Sequence, residues 1–310
     1  MKTKKLIFAG AILIAIAGIS ISGCKKDKSN GPNTDTSTLQ QLTKDEVAMQ
    51  GANDDADKDV NDVISKSGGK AGNWVPCNAT LDSTSVVNDT ITYNITYNGL
   101  NCSGTHNRSG QVQVRKNVNT HWKDAGAVVY VKFINLHITK ISNGKSFTIN
   151  GTKKHENVSG GLLDNLGSTL TSVVHKVSGS IQATFDDNTT RTWTIARQKT
   201  FTGTPGDLIC TVDGFGSADG KNNLVMWGIN RNGENFYVEI TQSVKHKEAC
   251  GWDPAAGIKI YSIPADNKSA TVTFGFDDNN QPVALNGNCP TRYKVDWTKN
   301  LHAGTLYIQL

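Results

Sequence analysis

Residues 90–97 read TITYNITY. Ile91, Tyr93, Ile95 and Tyr97 share one parity, and Thr92, Asn94 and Thr96 the other. Successive side chains of a strand point to opposite faces, so this stretch describes a strand with one dry and one wet face. A helix would space its apolar positions three and four apart, not two. The same alternation recurs in Val225/Trp227/Ile229, Phe236/Val238/Ile240, Val272/Phe274/Phe276, Tyr293/Val295/Trp297 and Leu306/Ile308/Leu310. Further upstream the dry parity flips, from Val129/Val131/Phe133 to Ile134/Leu136/Ile138. A period of two cannot slip by one without an extra residue, so a bulge or bend is expected between Phe133 and Ile134.

The connections read as hairpins. Asn143-Gly144 and Asn232-Gly233 supply the positive φ angles of tight turns, and FDDNTT (185–190) and FDDNNQ (276–281) each follow an aromatic strand end. GGLLDNLGSTL (160–170) can form a short helix, but nothing in the β region combines helical length with a 3.6 period. The expected fold class is all-β: an antiparallel meander, sandwich or open barrel with one N-terminal helix. A single domain is expected over 69–310, preceded by an acidic helix within 44–68. Thr43-Lys44-Asp45-Glu46 reads as a capping box opening that helix. Its apolar positions are few (Val47, Met49, Val60, Val63, Ile64), so it is expected to lean weakly on the sheet and keep its acidic face in water. Asp55-Ala56-Asp57-Lys58-Asp59 starts like a calcium loop, but Val60 and Lys66 stand where glycine and glutamate are needed. No calcium site is expected there.

Two stretches echo one another and suggest related modules over 74–134 and 249–310. Trp74-Val75-Pro76-Cys77 leads through a strand to Cys102 and Arg108, and Cys250-Gly251-Trp252-Asp253-Pro254 leads through a strand to Cys289 and Arg292. If each module closes its own bond, the disulfide candidates are Cys77 with Cys102 and Cys250 with Cys289, leaving Cys210 over. Sequence alone does not decide the connectivity.

At the N-terminus, a basic Met1–Lys5 and an apolar run from Leu6 to about Ile19 form an export signal, short for a membrane-spanning helix. It ends in Ile21-Ser22-Gly23-Cys24, which resembles the lipobox of bacterial lipoproteins. The resemblance implies cleavage after residue 23 and lipidation of Cys24, with palmitate-type chains on its sulfur and amine. Each buried methylene contributes about 0.8 kcal/mol, so two or more chains hold firmly where one does not. Residues 24–43 then read as a flexible spacer. The Cys24-Lys25-Lys26-Asp27 start, the acidic helix and NCSGTHNRSGQVQV (101–114) together look like uncharacterised exported lipoproteins of Bacteroidota-type bacteria. That resemblance implies attachment to the cell envelope at the outer membrane, on its periplasmic or its surface face, and implies no activity.

Composition narrows the partners. The chain carries 32 basic and 27 acidic residues, and losing Lys2, Lys4 and Lys5 with the signal leaves 29 against 27, a net +2. Without a basic face or run, nucleic acid is not an expected partner. Thirty glycines and 7% aromatic residues suit an exported β-protein.

The usual handles of catalysis are missing. The mature chain has no G-x-S-x-G elbow, no H-E-x-x-H and no phosphate loop, and neither a cofactor nor a metal is expected. His246, Glu248 and Cys250 could share a zinc ion only if the chain bent there; a strand end leading to a disulfide explains them better. Asp186-Asp187 and Asp277-Asp278 offer the paired carboxyls of glycoside hydrolysis, yet they sit in turns, where aspartate stabilises the backbone. Trp122, Trp193, Trp227 and Trp297 fall on or beside strands. Such rings either stack sugars on an exposed face or fill the core. The expected function is a lipid-anchored binding or scaffolding module for glycan or another envelope protein, with a glycan hydrolase as the alternative.

Overall fold

A computed structural model describes residues 37–66, 75–84 and 86–310. The export signal, Cys24, the spacer as far as residue 36 and Trp74 lie outside the described residues. One α-helix, α1 (Ser37–Lys66), precedes fifteen strands. The first seven are β1 (Ala79–Ser83), β2 (Thr90–Leu100), β3 (His106–Asn117), β4 (Ala127–Lys140), β5 (Ser146–Asn157), β6 (Val173–Phe185) and β7 (Thr190–Thr204). Then come β8 (Asp207–Gly214), β9 (Gly216–Ala218), β10 (Lys221–Ile229) and β11 (Asn235–Lys247). The last four are β12 (Pro254–Ile263), β13 (Lys268–Phe276), β14 (Arg292–Lys299) and β15 (His302–Gln309). Among the described residues no helix is long and apolar enough to cross a membrane.

The fold is all-β, and its strands make one antiparallel sheet in nearly sequential order. The exception lies at the centre. β7 pairs β10 through Thr192–Ile195 and β8 through Arg197–Thr204. β11 does the same from the other side, so β8 and β10 share one lane end to end. β1 and β15 are the outer edges, leaving the sheet open.

The phase flip in β4 is a bulge. Phe133 pairs Gly151 but Leu136 pairs Ile149, and Asn135 takes a φ of +46° between them. The Asn135 N–H donates to Asn150 Oδ1 at 2.9 Å. Dry parity then resumes at Leu136 and Ile138, with Ile134 only half-buried. The hairpins turn where positive φ was expected, at Gly144 and Gly233, and the two Phe-Asp-Asp-Asn corners turn on Asn188 and Asn280. Residues 160–170 supply a single 3₁₀ turn, Leu163–Asn165.

Both disulfides are intramolecular clasps on hairpins. Cys77–Cys102 encloses β1 and β2, and Cys250–Cys289 encloses β12 and β13. Cys210 is buried and belongs to neither.

The helix departs from expectation. It begins at Ser37, so Thr43 and Glu46 are interior and do not cap its start. Nor is its acidic face in water: Asp45 is 7%, Glu46 1% and Asp59 6% exposed. α1 packs against the sheet, and its Leu42, Met49, Ala56, Val60, Val63 and Ile64 share one core cluster with residues from β2 through β15. The sheet therefore presents a concave face to α1. Carboxylates survive there because the strands carry cations at inward positions; an unpaired buried charge would be prohibitive.

Candidate functional site

Five carboxylates on α1 each meet a partner from the strands or their connecting turns. Glu46 accepts from Lys259 Nζ at 3.1 Å and Tyr261 Oη at 3.3 Å, with Arg197 at 3.9 Å. Asp45 meets Arg231 at 3.3 Å. Asp59 accepts from Arg108 at 2.6 Å and Tyr97 Oη at 3.0 Å. Asp55 accepts from Asn101 Nδ2 at 2.6 Å and lies 3.4 Å from His106. Asp57 accepts from Lys153, with His155 at 3.5 Å and Lys199 at 3.6 Å. Three carboxylates in the calcium-like stretch thus hold the helix in the sheet.

The titrations follow from this setting. Burial alone would raise Glu46 and Asp57, but their cations outweigh it and hold both below the usual carboxylate range. At Asp45 and Asp59 burial outweighs Arg231 and Arg108 respectively, and both carboxyls are raised.

Beside the C-terminal half of α1 the packing leaves a cavity of about 220 Å³. Its walls come from α1, β5, β6, β7, β8 and β11, with the β3–β4 and β5–β6 connections, the β7–β8 turn and the turn before β12. A run of rings crosses it: Trp122 to His175 at 5.1 Å, His175 to Phe201 at 5.4 Å, and Phe201 to Trp252 at 6.3 Å between centroids. The sheet register explains the grouping. His175 stands opposite Lys199, and Cys210 stands opposite both Phe201 and His246, so all five point to the concave face.

His175 is 8% exposed, and its Nε2 has no hydrogen-bond partner. Burial first, then His155 and Lys199, pushes its pKa down to about 3, so the ring is neutral at pH 7. A bare polar nitrogen in an apolar wall is costly unless something binds it. Trp122 and His246 are engaged: Trp122 Nε1 donates to Asn61 at 2.9 Å, and His246 Nδ1 donates to the Trp252 carbonyl at 2.8 Å. Glu248 accepts from the Gly206 and Leu208 amides at 2.8 and 3.2 Å.

The four tryptophans do not form a sugar-stacking face. Trp122 and Trp193 are buried on the concave side. The Trp297 ring packs over Gly304 and against the core, and Trp227 points to the opposite face, its ring over Gly216. Two of the four are therefore core residues, and the other two are half-buried on different strands. Of the four, only Trp122 lines the cavity.

The turn aspartates also stay in their turns. Asp186 accepts from Ser146, Asp187 from Thr189 and Arg231, Asp277 from the Asn279 and Gln281 amides, and Asp278 from Thr291. None of the four lines the cavity. His246, Glu248 and Cys250 do not converge, because Cys250 is bonded to Cys289. Among the described residues no three His, Cys, Asp or Glu side chains are grouped to hold a metal ion.

His175, Phe201 and Trp252 were missed by sequence reasoning. A signal existed for the histidine: in Val173/His175/Val177 it occupies the dry parity. No family model, curated protein or solved structure matches this chain.

Proposed function

We propose that this chain is a lipid-anchored envelope protein that holds a small ligand in the cavity between α1 and the concave face. The observation that carries the reading is the buried, unpartnered His175 Nε2 in the wall of a ring-lined cavity of about 220 Å³. Binding sites of this kind combine apolar and aromatic walls with a few polar groups that fix orientation. Here Trp122, Phe201 and Trp252 supply the walls, and His175 and Lys199 the polar end.

Attachment through Cys24 at the outer membrane rests on the lipobox and the export signal. A tethered binder needs no catalytic group, which agrees with carboxylates kept in turns and in helix-to-sheet pairs. A glycan platform has less support, since the tryptophans do not share an exposed face.

Ligand binding is checked on the mature chain by intrinsic fluorescence, because Trp122 and Trp252 both line the site. A panel of ring-bearing and short-chain compounds is titrated into wild type and into Val177→Phe and Val212→Phe, each of which fills the cavity. Saturable quenching in wild type, weakened at least tenfold in a folded filled variant, is the expected result. Equal responses in wild type and filled variants would place binding elsewhere and sink the proposal.

A further inference from the structure

We propose that the cavity takes a small uncharged molecule, one ring or a short chain bearing a hydroxyl, and turns away organic ions of either sign. The inference rests on the reading of the cavity as a ligand site and adds the ligand's chemical class.

The charges inside the wall are engaged with the protein itself. Asp57 accepts from Lys153 and lies 3.6 Å from Lys199. Asp55 accepts from Asn101 and lies 3.4 Å from His106, and Glu248 accepts from the Gly206 and Leu208 amides. Asp62 is engaged as well. An organic anion would enter against Asp55, Asp57, Asp62 and Glu248, and an organic cation against Lys199. Either would leave its hydration shell without gaining a counter-charge of its own, which is the costly way to bury an ion. Lys58, Asp164 and Asp253 also line the cavity, but they are exposed on the rim, where water and salt screen them within about 8 Å. An uncharged ligand disturbs none of these pairs.

The polar contact open to a ligand is a neutral one. His175 is buried, its pKa is pushed down to about 3, and its Nε2 has no hydrogen-bond partner. A neutral imidazole nitrogen donates in one tautomer and accepts in the other, and a hydroxyl can do both. A hydroxyl therefore answers Nε2 in either tautomer, where a carbonyl or an ether suits only one. Such a hydrogen bond is worth up to about tenfold in affinity.

Walls and volume set the body. Trp122, Phe201 and Trp252 offer ring surfaces along the cavity. An apolar cavity of about 150 Å³ holds benzene. The cavity here, about 220 Å³, has room for one ring or a short chain together with a hydroxyl.

The test uses the full-length chain in detergent, with benzyl alcohol, its hydrocarbon counterpart ethylbenzene, benzoate and benzylamine titrated by tryptophan fluorescence. Benzyl alcohol is expected to bind at least tenfold more tightly than benzoate and than benzylamine. The role of His175 is read from the ratio of benzyl alcohol to ethylbenzene affinity. Micelles take up each probe equally in parallel samples, so the ratio is compared between proteins at one detergent concentration. His175→Phe, which keeps a ring but no ring nitrogen, should lower that ratio by about threefold to tenfold. His175→Leu repeats the measurement should the phenylalanine variant not fold. If benzoate or benzylamine binds wild type as tightly as benzyl alcohol, the uncharged class is overturned while the cavity remains a ligand site. An unchanged ratio in a folded variant would overturn the hydroxyl contact. If no probe binds saturably, both readings fall.

Discussion

Glu46 is closed off from water with Lys259, Arg197 and Arg191 around it, and those cations determine what its loss would do. Removing one partner of a buried pair leaves the others uncompensated, at a cost of about 3–5 kcal/mol. Glu46→Gln should therefore destabilise by that amount in urea denaturation, and adding Lys259→Met should recover part of the loss. A Glu46→Gln loss under about 1 kcal/mol would mean that the pair is solvated. His175 makes a different prediction, on pH. Its folded pKa of about 3 lies below the unfolded value near 6.5, so the folded state binds fewer protons and stability falls as pH drops below 6.5. The slope approaches about 1.4 kcal/mol per pH unit between pH 6 and 4. His175→Gln should remove that slope from denaturation curves taken across the range. Parallel wild-type and variant curves would show that the ring titrates normally.

At the scale of elements, the bulge in β4 depends on its neighbour. Gly110 on β3 has a φ of +101°, and a Cβ there would lie 2.1 Å from the Asn135 carbonyl oxygen. Gly110→Ala forces the bulge to move, and overpacking of this kind costs about 1–3 kcal/mol, with backbone strain added. A fall in melting temperature of several degrees is expected; an unchanged Tm would mean that the bulge relaxes freely. The two clasps act on the unfolded chain. Closing loops of 25 and 39 residues is worth up to about 3.5 and 4 kcal/mol in the chain-entropy model. Cys250→Ser with Cys289→Ser should therefore cost more than Cys77→Ser with Cys102→Ser, as measured by urea midpoint at equal m-value; the reverse order would point to strain or residual unfolded-state structure. Strand positions and the bulge were legible because parity survives in local sequence: Phe133 and Ile134 cannot both face the core of an unbroken strand. The lane shared by β8 and β10 was not legible, since nothing local records that β7 changes partner between Ile195 and Arg197.

At the scale of the whole molecule, the sheet and α1 are electrostatic complements, and this is what local reading could not reach. Capping patterns and few apolar residues make α1 look solvated, because its partners are far away in sequence, from 46 residues for Asp55 and Asn101 to 213 for Glu46 and Lys259. The clue lay in the strands, where Arg197, Lys153 and Lys259 share parity with buried apolar residues such as Ile195, Phe133's neighbour Val131 across the sheet, and Tyr261. Cations at dry positions require carboxylates from somewhere, and the acidic helix is the largest supply. The cavity was hidden for the same reason, since α1 forms one of its walls. If the helix is part of the fold, a chain starting at residue 75 keeps every strand but strands the ammonium and guanidinium groups of Arg108, Lys153, Arg197 and Lys259 against apolar walls. It should lose its cooperative thermal transition, and a synthetic peptide of residues 37–66 should restore the transition in trans. Replacing Glu46, Asp57 and Asp59 in that peptide by their amides should abolish the rescue. A truncated chain that melts cooperatively at the Tm of the full chain would reduce α1 to an ornament and remove the wall on which the cavity depends.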